Sequence, residues 1–271
     1  TSRVQRLVVW QGVQLALTGL AIGLPSAFLL SRLLGSVLYG VEPNDPLTFA
    51  AVAVLLAAVS VVASYLPARR VTLVDPMETR AWRKRMRKET RAIFVESPVN
   101  PTCRVLDLRP ISYLTKEGGL ALVVDSTFAS PVNFRPLEHG ADVVIHSATK
   151  YLNGHHDILS GVVLGTAPYI EEVRQKMVVW GQSPDPFACW LLERGLKTID
   201  VRVARQNENA RRIAEWCNAR KEVRHVHYPG LEDHPDHEVA RTFLDGFGGM
   251  LAIELVGGGR SAERFLRRLR L

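Results

Sequence analysis

One lysine, Lys150, sits in the stretch HSATKYLNGHHD (146–157), with hydroxyls just before it at Ser147 and Thr149. Residues two apart on an extended segment share a face, so both hydroxyls point the same way and could donate to the oxygens of one anion. Earlier in the chain the apolar run of GLALVVDSTFA closes on a carboxylate, Asp125. A lysine amine beside a polar ring can form an imine, and a carboxylate against a ring nitrogen keeps that nitrogen protonated, so that the ring draws electrons. Taken singly, each residue has a plainer reading. Lys150 is a surface cation, Asp125 a turn or cap residue, and the hydroxyls solvated or capping groups. Only their joint placement points to chemistry.

Joint placement requires strands that deliver them to one edge. After about Glu89 short apolar runs alternate with longer amphipathic ones, which predicts a parallel α/β domain. RAIFVESP, GLALVVDSTFA, GADVVIHSATK and LSGVVLGT read as four strands, with Asp125 at the carboxyl end of the second and the third leading into Lys150. Ligands of open α/β sheets gather outside the carboxyl ends of strands, so Asp125, Ser147, Thr149 and Lys150 are expected on one rim. An acid, an amine and phosphate-facing hydroxyls placed in this way form the pattern that holds pyridoxal phosphate. Downstream, RVARQNENARRIAEWCNA (202–219) predicts an amphipathic helix, with Val203, Ile213 and Trp216 among its apolar positions and its arginines on a solvated face. Trp180, Trp190 and Trp216 are expected as core or interface aromatics.

The chain of 271 residues is 47% hydrophobic and carries a formal charge of +7. Five arginines and two lysines of that basic excess lie from Arg80 to Arg91, in a short segment rather than over a face, so no nucleic-acid partner is expected. Cys103, Cys189 and Cys217 are odd in number and lack metal-ligand spacing, which predicts packing residues in a reducing compartment. His225, His227, His234 and His237 with Asp233 and Asp236 make a cluster, but imidazole spacing alone sets no metal geometry, and no metal is expected. His155 and His156, beside a glycine turn, are expected to orient a loop.

Leu7 to Ser31 and Pro46 to Ala68 contain no charged side chain. Both runs exceed the roughly 20 residues that cross a bilayer core, predicting two transmembrane helices at about 7–31 and 46–68. A secretory signal would have a shorter apolar core and no second span. Arg3 and Arg6 precede the first run, Arg69 and Arg70 follow the second, and the loop LYGVEPNDPL carries only acids, which puts both ends on the cytoplasmic side. The basic run from Arg80 reads as a juxtamembrane tail, and Gly19 and Gly23 form a GxxxG spacing for close helix approach.

Two resemblances follow. SYLPARRVTLVDPMETRA (64–81) is similar to the end of a MacB/FtsX-type ABC-transporter permease; over about residues 1–85 this implies the last two membrane helices of such a protein. ESPVNPTCRVLDL, VVDSTFASP, GADVVIHSATKYLNGHHDILSGVV, LLERGLKTIDVRV, NENARRIAEW, VHYPGLEDHPDHEVA and GFGGMLAIEL resemble, in this order, the Cys/Met-metabolism family of pyridoxal-phosphate enzymes over about residues 91–271. That resemblance implies the fold-type-I, aminotransferase-like α/β architecture and a homo-oligomer. It makes Lys150 the Schiff-base lysine and proton shuttle, Asp125 the partner of the pyridine nitrogen, and Ser147 and Thr149 phosphate ligands. Asn100 matches the asparagine near the cofactor's phenolic oxygen and the substrate carboxylate. The implied substrates are sulfur amino acids and their precursors (cystathionine, activated homoserine or cysteine), with C–S bond formation and cleavage both open.

The family's phosphate loop and ring-stacking tyrosine are not found before Arg91, and its substrate-carboxylate arginine lies beyond Leu271. The expectation is therefore an incomplete enzyme joined to a membrane segment near Arg80 to Arg91. Residues 1–88 form the membrane segment, 89–200 a partial cofactor-binding large domain, and 201–271 a linking helix and the start of a small C-terminal domain. The catalytic part is expected in the cytoplasm, anchored to the inner membrane. The other reading is a permease remnant with an inactive cytoplasmic fusion.

Overall fold

The computed structural model describes residues 2–33 and 45–269. The chain divides into two compact units, Thr1–Asp75 and Pro76–Leu271. The first consists of two helices, α1 (Ser2–Leu33) and α2 (Pro46–Arg70). Asp45 caps α2 by accepting from the amides of Leu47 and Thr48, and Pro46 stands in the first turn, where a missing N–H leaves no bond unmade. Over Trp10–Ser31 and Pro46–Leu66 the helices are long and apolar enough to cross a membrane, by length and composition. Their apolar side chains, among them Leu15, Ile22, Leu47 and Val54, are exposed.

The GxxxG pair is not where these helices meet. Nothing lies within 4 Å of a Cβ placed on Gly19 or Gly23, whereas one on Gly12 would come 2.1 Å from Ser64 Oγ, so Gly12 permits the close approach. The acidic connection expected between the spans lies, through residue 44 and including Glu42, outside the described residues.

The second unit begins with α3 (Thr79–Arg85). The basic run expected as a membrane flank is thus part of this unit: Trp82 is buried, and Arg83 pairs with Glu117 at 2.6 Å. One tryptophan among arginines anchors a segment whose composition alone reads as solvated. Then come β1 (Ala92–Glu96), α4 (Leu108–Gly118), β2 (Ala121–Asp125), the short α5 (Ser130–Asn133), a 3-10 turn (Pro136–His139), β3 (Val143–Ser147) and β4 (Gly161–Gly165). The four strands fall on the four apolar runs and form one sheet in the order β1-β2-β3-β4.

β1, β2 and β3 are parallel, but β4 runs antiparallel to β3, so the sheet is mixed where a parallel one was expected. The connection from β3 to β4 holds turns and no crossover helix, and the chain doubles back on itself. Register fixes the faces. Ile93, Val95, Leu122, Val124, Val144 and His146 lie on one side, all buried, with α4 packed against β2. Phe94, Glu96, Val123, Asp125, Ile145 and Ser147 lie on the other.

The chain continues through α6 (Ala167–Trp180), α7 (Pro186–Leu196), α8 (Ile199–Asn218), β5 (Val223–His227), α9 (His237–Phe243), β6 (Ala252–Leu255) and α10 (Gly259–Leu266), with β5 and β6 paired antiparallel. α8 buries Val203, Ala210, Ala214 and Cys217, and the last three pack with Val226 and Tyr228 in a second core. Ile213 and Trp216, expected on that apolar stripe, are exposed, as are Trp180 and Trp190. Small side chains make the seam because they let α8 lie close to the β5–β6 pair. Cys103 and Cys217 are buried and Cys189 exposed, all three free.

Candidate active site

Asp125 ends β2 on the face opposite the covered core. Its Oδ1 accepts from the Thr127 amide at 2.9 Å and from the Thr127 hydroxyl at 2.5 Å. That hydroxyl oxygen accepts in turn from the Ser147 amide at 2.8 Å. A relay of hydrogen bonds therefore runs from the end of β3 through Thr127 to the Asp125 carboxylate, and each donor strengthens the next. With Oδ1 loaded by two donors, Oδ2 is the oxygen left to receive a further N–H.

Lys150 follows β3 by three residues, in a turn begun by its own amide donating to Ser147 O at 3.1 Å. Its Nζ stands 4.7 Å from the centre of the Phe128 ring, a cation–π contact that holds the ammonium on the side of the β2 end. Asn100 occupies the tip of a loop closed by the Val99 amide donating to Arg104 O at 2.8 Å, with cis peptides at Ser97–Pro98 and Asn100–Pro101. Asn100 and Phe128 line the same small pocket, so the loop reaches the neighbourhood of the lysine. The loop is moored through Arg104, whose guanidinium bonds both oxygens of the buried Asp236 at 2.5 and 2.9 Å.

The hydroxyls differ from each other. Ser147 shares the face of Asp125. Thr149 Oγ1 accepts from the Ser160 amide at 3.0 Å and donates to the Ser160 carbonyl at 3.3 Å, so it pins the β3–β4 connection, and its proton is engaged there. An anion contact by Thr149 requires that clamp to loosen.

Two groups escaped the sequence reading. Glu96 is the register partner of Asp125 on β1. Burial raises its carboxyl above the ordinary range, the charge of Asp125 adds to this, and the Asn100 amide and Lys150 oppose it. One field thus couples Glu96, Asp125 and Lys150. Its signal was present in VESP, an acid ending a strand in the same way as Asp125. Thr127 was legible as a hydroxyl two residues after an aspartate, the spacing of an Asx turn. Behind the rim, on the covered face, His146 is buried and no partner for its Nδ1 is found among the described residues; burial lowers its imidazole from the usual value, against the pull of Asp125 and the Ser126 backbone.

The family profile described as Cys/Met metabolism PLP-dependent enzyme matches residues 58–271. The chain belongs to this Cys/Met-metabolism family. The match begins inside α2 and takes in residues 58–88, expected as part of the membrane segment; these comparisons lend the permease resemblance no support. Cystathionine gamma-synthase 1, chloroplastic, of Nicotiana tabacum is 39% identical over 201 residues, 74% of this chain and 37% of that protein. The crystal structure of metB from Corynebacterium glutamicum superposes with a TM-score of 0.71 at 39% identity, covering 74% of this chain and 52% of the other. That of cystathionine gamma-lyase from Lactobacillus plantarum gives 0.66 at 35% identity, covering 68% and 49%. The fold is that of the fold-type-I PLP-dependent enzymes, and the chain spans between about a third and two thirds of the length of the relatives it matches.

The residues present suit the family's cofactor. An amine, a carboxylate with one oxygen left to accept, and the Ser147 hydroxyl on the carboxylate's face are the groups that an aldehyde, a protonated ring nitrogen and a phosphate require.

Proposed function

We propose that the chain carries the lysine-bearing part of a PLP-dependent enzyme that forms or cleaves C–S bonds in sulfur amino acids. Cystathionine γ-synthase and γ-lyase are the chemical types named by this reading. The observation that carries this reading is the relay joining Ser147, Thr127 and Asp125 at the strand ends beside Lys150. Pyridoxal 5'-phosphate supplies, when bound, an aldehyde that captures amines and a ring that withdraws electrons from the carbon next to the substrate nitrogen.

The chain's own groups have separate tasks. Lys150 is the amine that would hold the cofactor's aldehyde and, as a free amine, would take and return protons as general base and acid. Asp125 would accept the hydrogen bond of a protonated ring nitrogen, and Thr127 keeps that carboxylate oriented through Oδ1. Ser147 binds phosphate, joined by Thr149 when its clamp on Ser160 opens. Asn100 would stand near the cofactor's phenolic oxygen and the substrate carboxylate, the role the family resemblance implies. Residues 89–200 serve as the partial large domain, and residues 201–271 as the linking helix and the start of the small one. Its substrate is an amino acid such as cystathionine, activated homoserine or cysteine, and the working form is a homo-oligomer.

The exposed apolar length of α1 and α2 supports anchoring of a cytoplasmic catalytic part to the inner membrane. It equally supports the second reading, a permease remnant with an inactive fusion. One experiment separates them. The full chain is expressed with the cofactor, treated with borohydride and digested, and the labelled peptide is mapped. Label on Lys150, absent from Lys150→Ala, with turnover of cystathionine or an activated homoserine, is the expected result. No label, or label scattered over exposed lysines, sinks the enzyme reading and leaves the membrane one. Retention of the chain in membranes after carbonate washing checks the anchor.

A further inference from the structure

Arg202, in the first turn of α8, faces no carboxylate among the described residues. Its guanidinium is spent on backbone oxygens: Nη1 donates to Tyr151 O at 2.9 Å, and Nη2 to Leu152 O at 3.2 Å and to Gly195 O at 2.7 Å. Nε donates to Thr198 Oγ1 at 3.0 Å. Tyr151 and Leu152 are the two residues that follow Lys150. The turn they belong to is held by the Asn153 amide on Ala148 O and the Gly154 amide on Lys150 O, while the carbonyls of Tyr151 and Leu152 receive no backbone N–H among the described residues. Arg202 supplies the donors that the turn lacks.

Two glycines keep the space for this contact. Gly154 has φ +73°, and a Cβ there would lie 2.0 Å from Nη1 of Arg202. A Cβ on Gly195 would lie 2.5 Å from Asn153 O, so the end of α7 closes directly on the same turn. Burial works against the charge of the guanidinium, and its N–H groups are satisfied by three carbonyls and the Thr198 hydroxyl oxygen. The planar fork serves several carbonyls at once, whereas an ammonium reaches fewer.

We propose that Arg202 is a positioning residue for the Lys150 amine, fixing from behind the turn on which that amine stands. The proposal rests on the reading of Lys150 as the cofactor-capturing lysine. Its test uses the full chain in detergent with pyridoxal phosphate, and compares Arg202→Gln, Arg202→Lys and Thr198→Val with the wild type. The initial rate of borohydride trapping at Lys150 is measured by peptide mapping and normalised to the folded fraction from circular dichroism. Arg202→Gln is expected to trap about 100-fold more slowly, the loss that follows a displacement of reacting atoms by about 1 Å. Arg202→Lys is expected to recover part of the rate. Trapping at the wild-type rate in Arg202→Gln, or no recovery in Arg202→Lys, overturns the proposal.

Should Arg202→Gln fail to fold, Thr198→Val decides, since it keeps the guanidinium and removes the acceptor that orients Nε, together with the Thr198 hydroxyl's own bond to Gly195 O. Slower trapping supports positioning, and an unchanged rate overturns it. A cofactor-free measurement keeps the two readings apart. Acylation of Lys150 by limiting acetic anhydride, relative to Lys116 and Lys197, is expected to change in Arg202→Gln; an unchanged ratio overturns the positioning role. Absence of trapped label on wild-type Lys150 sinks the cofactor reading and leaves the acylation result standing.

Discussion

On the covered face of the sheet, Ile93, Leu122, Val124 and Val144 keep at most 8% of their surface, while Phe94, one residue along from Ile93 and on the open face, keeps 61%. The same strands make both faces. The covered side fixes register, because a slip of one residue would exchange the two sets of side chains. With the fold secured from beneath, Glu96, Asp125 and Ser147 on the open side are free to be polar. The difference teaches that the candidate site borrows its rigidity from residues that take no part in its chemistry.

Paired truncations test that separation most sharply. Leu122→Ala is expected to lower the unfolding free energy by about 2–5 kcal/mol, and Phe94→Ala by less than about 1 kcal/mol, in urea titrations of the full chain in detergent. Equal losses would erase the distinction between the faces. The next largest contrast lies between thiols. Burial pushes the Cys103 thiol up to about 11, whereas Cys189 is exposed on α7. Iodoacetamide at mildly alkaline pH is expected to alkylate Cys103 at least about 100-fold more slowly than Cys189, since its thiolate fraction falls tenfold per unit. Joint labelling at one rate would mean that the Asn100 loop opens freely.

Thr127→Val removes the hydroxyl between the faces' shared ends and leaves the Ser147 amide without its acceptor. A loss of about 1–2 kcal/mol is expected in the same titrations, together with weaker cofactor retention on a desalting column. A variant as stable and as well loaded as the wild type would remove Thr127 from the relay. The smallest effect concerns pH. Burial depresses His146 on the covered face and also His234, so the folded chain favours their neutral rings and the unfolded chain binds more protons as pH falls. This contribution is present above the ordinary histidine range and is lost as pH falls through it. The urea midpoint is expected to drop from mildly alkaline to mildly acidic pH, less so in His146→Phe; an identical drop in both proteins would discharge His146 from the effect.

The four strands were legible because each is an unbroken apolar run closed by a polar residue, and Asp125, Ser147 and Lys150 sit at those closures. The reversed direction of β4 was not, since an apolar run carries no arrow and only the turns between Ser147 and Gly161 set it. Arg202 reads as a solvated arginine of an amphipathic helix, since two of its acceptors are carbonyls about 50 positions away. Thr149 presents the same hydroxyl in sequence whether it binds an anion or pins Ser160. Trp82 hides among arginines, and Trp216 advertises a seam that alanines make. Composition reports how apolar a segment is, but not which of its side chains is small enough to be covered.

β4 has a further consequence. Among the described residues it is the last strand of its sheet, and from Gly161 to Gly165 it carries no charge and no proline. One row of its amides and carbonyls is a template for another strand, and nothing in its own side chains repels a copy. Crowded samples are therefore expected to associate along β4, and Val162→Lys is the change expected to keep neighbouring molecules apart.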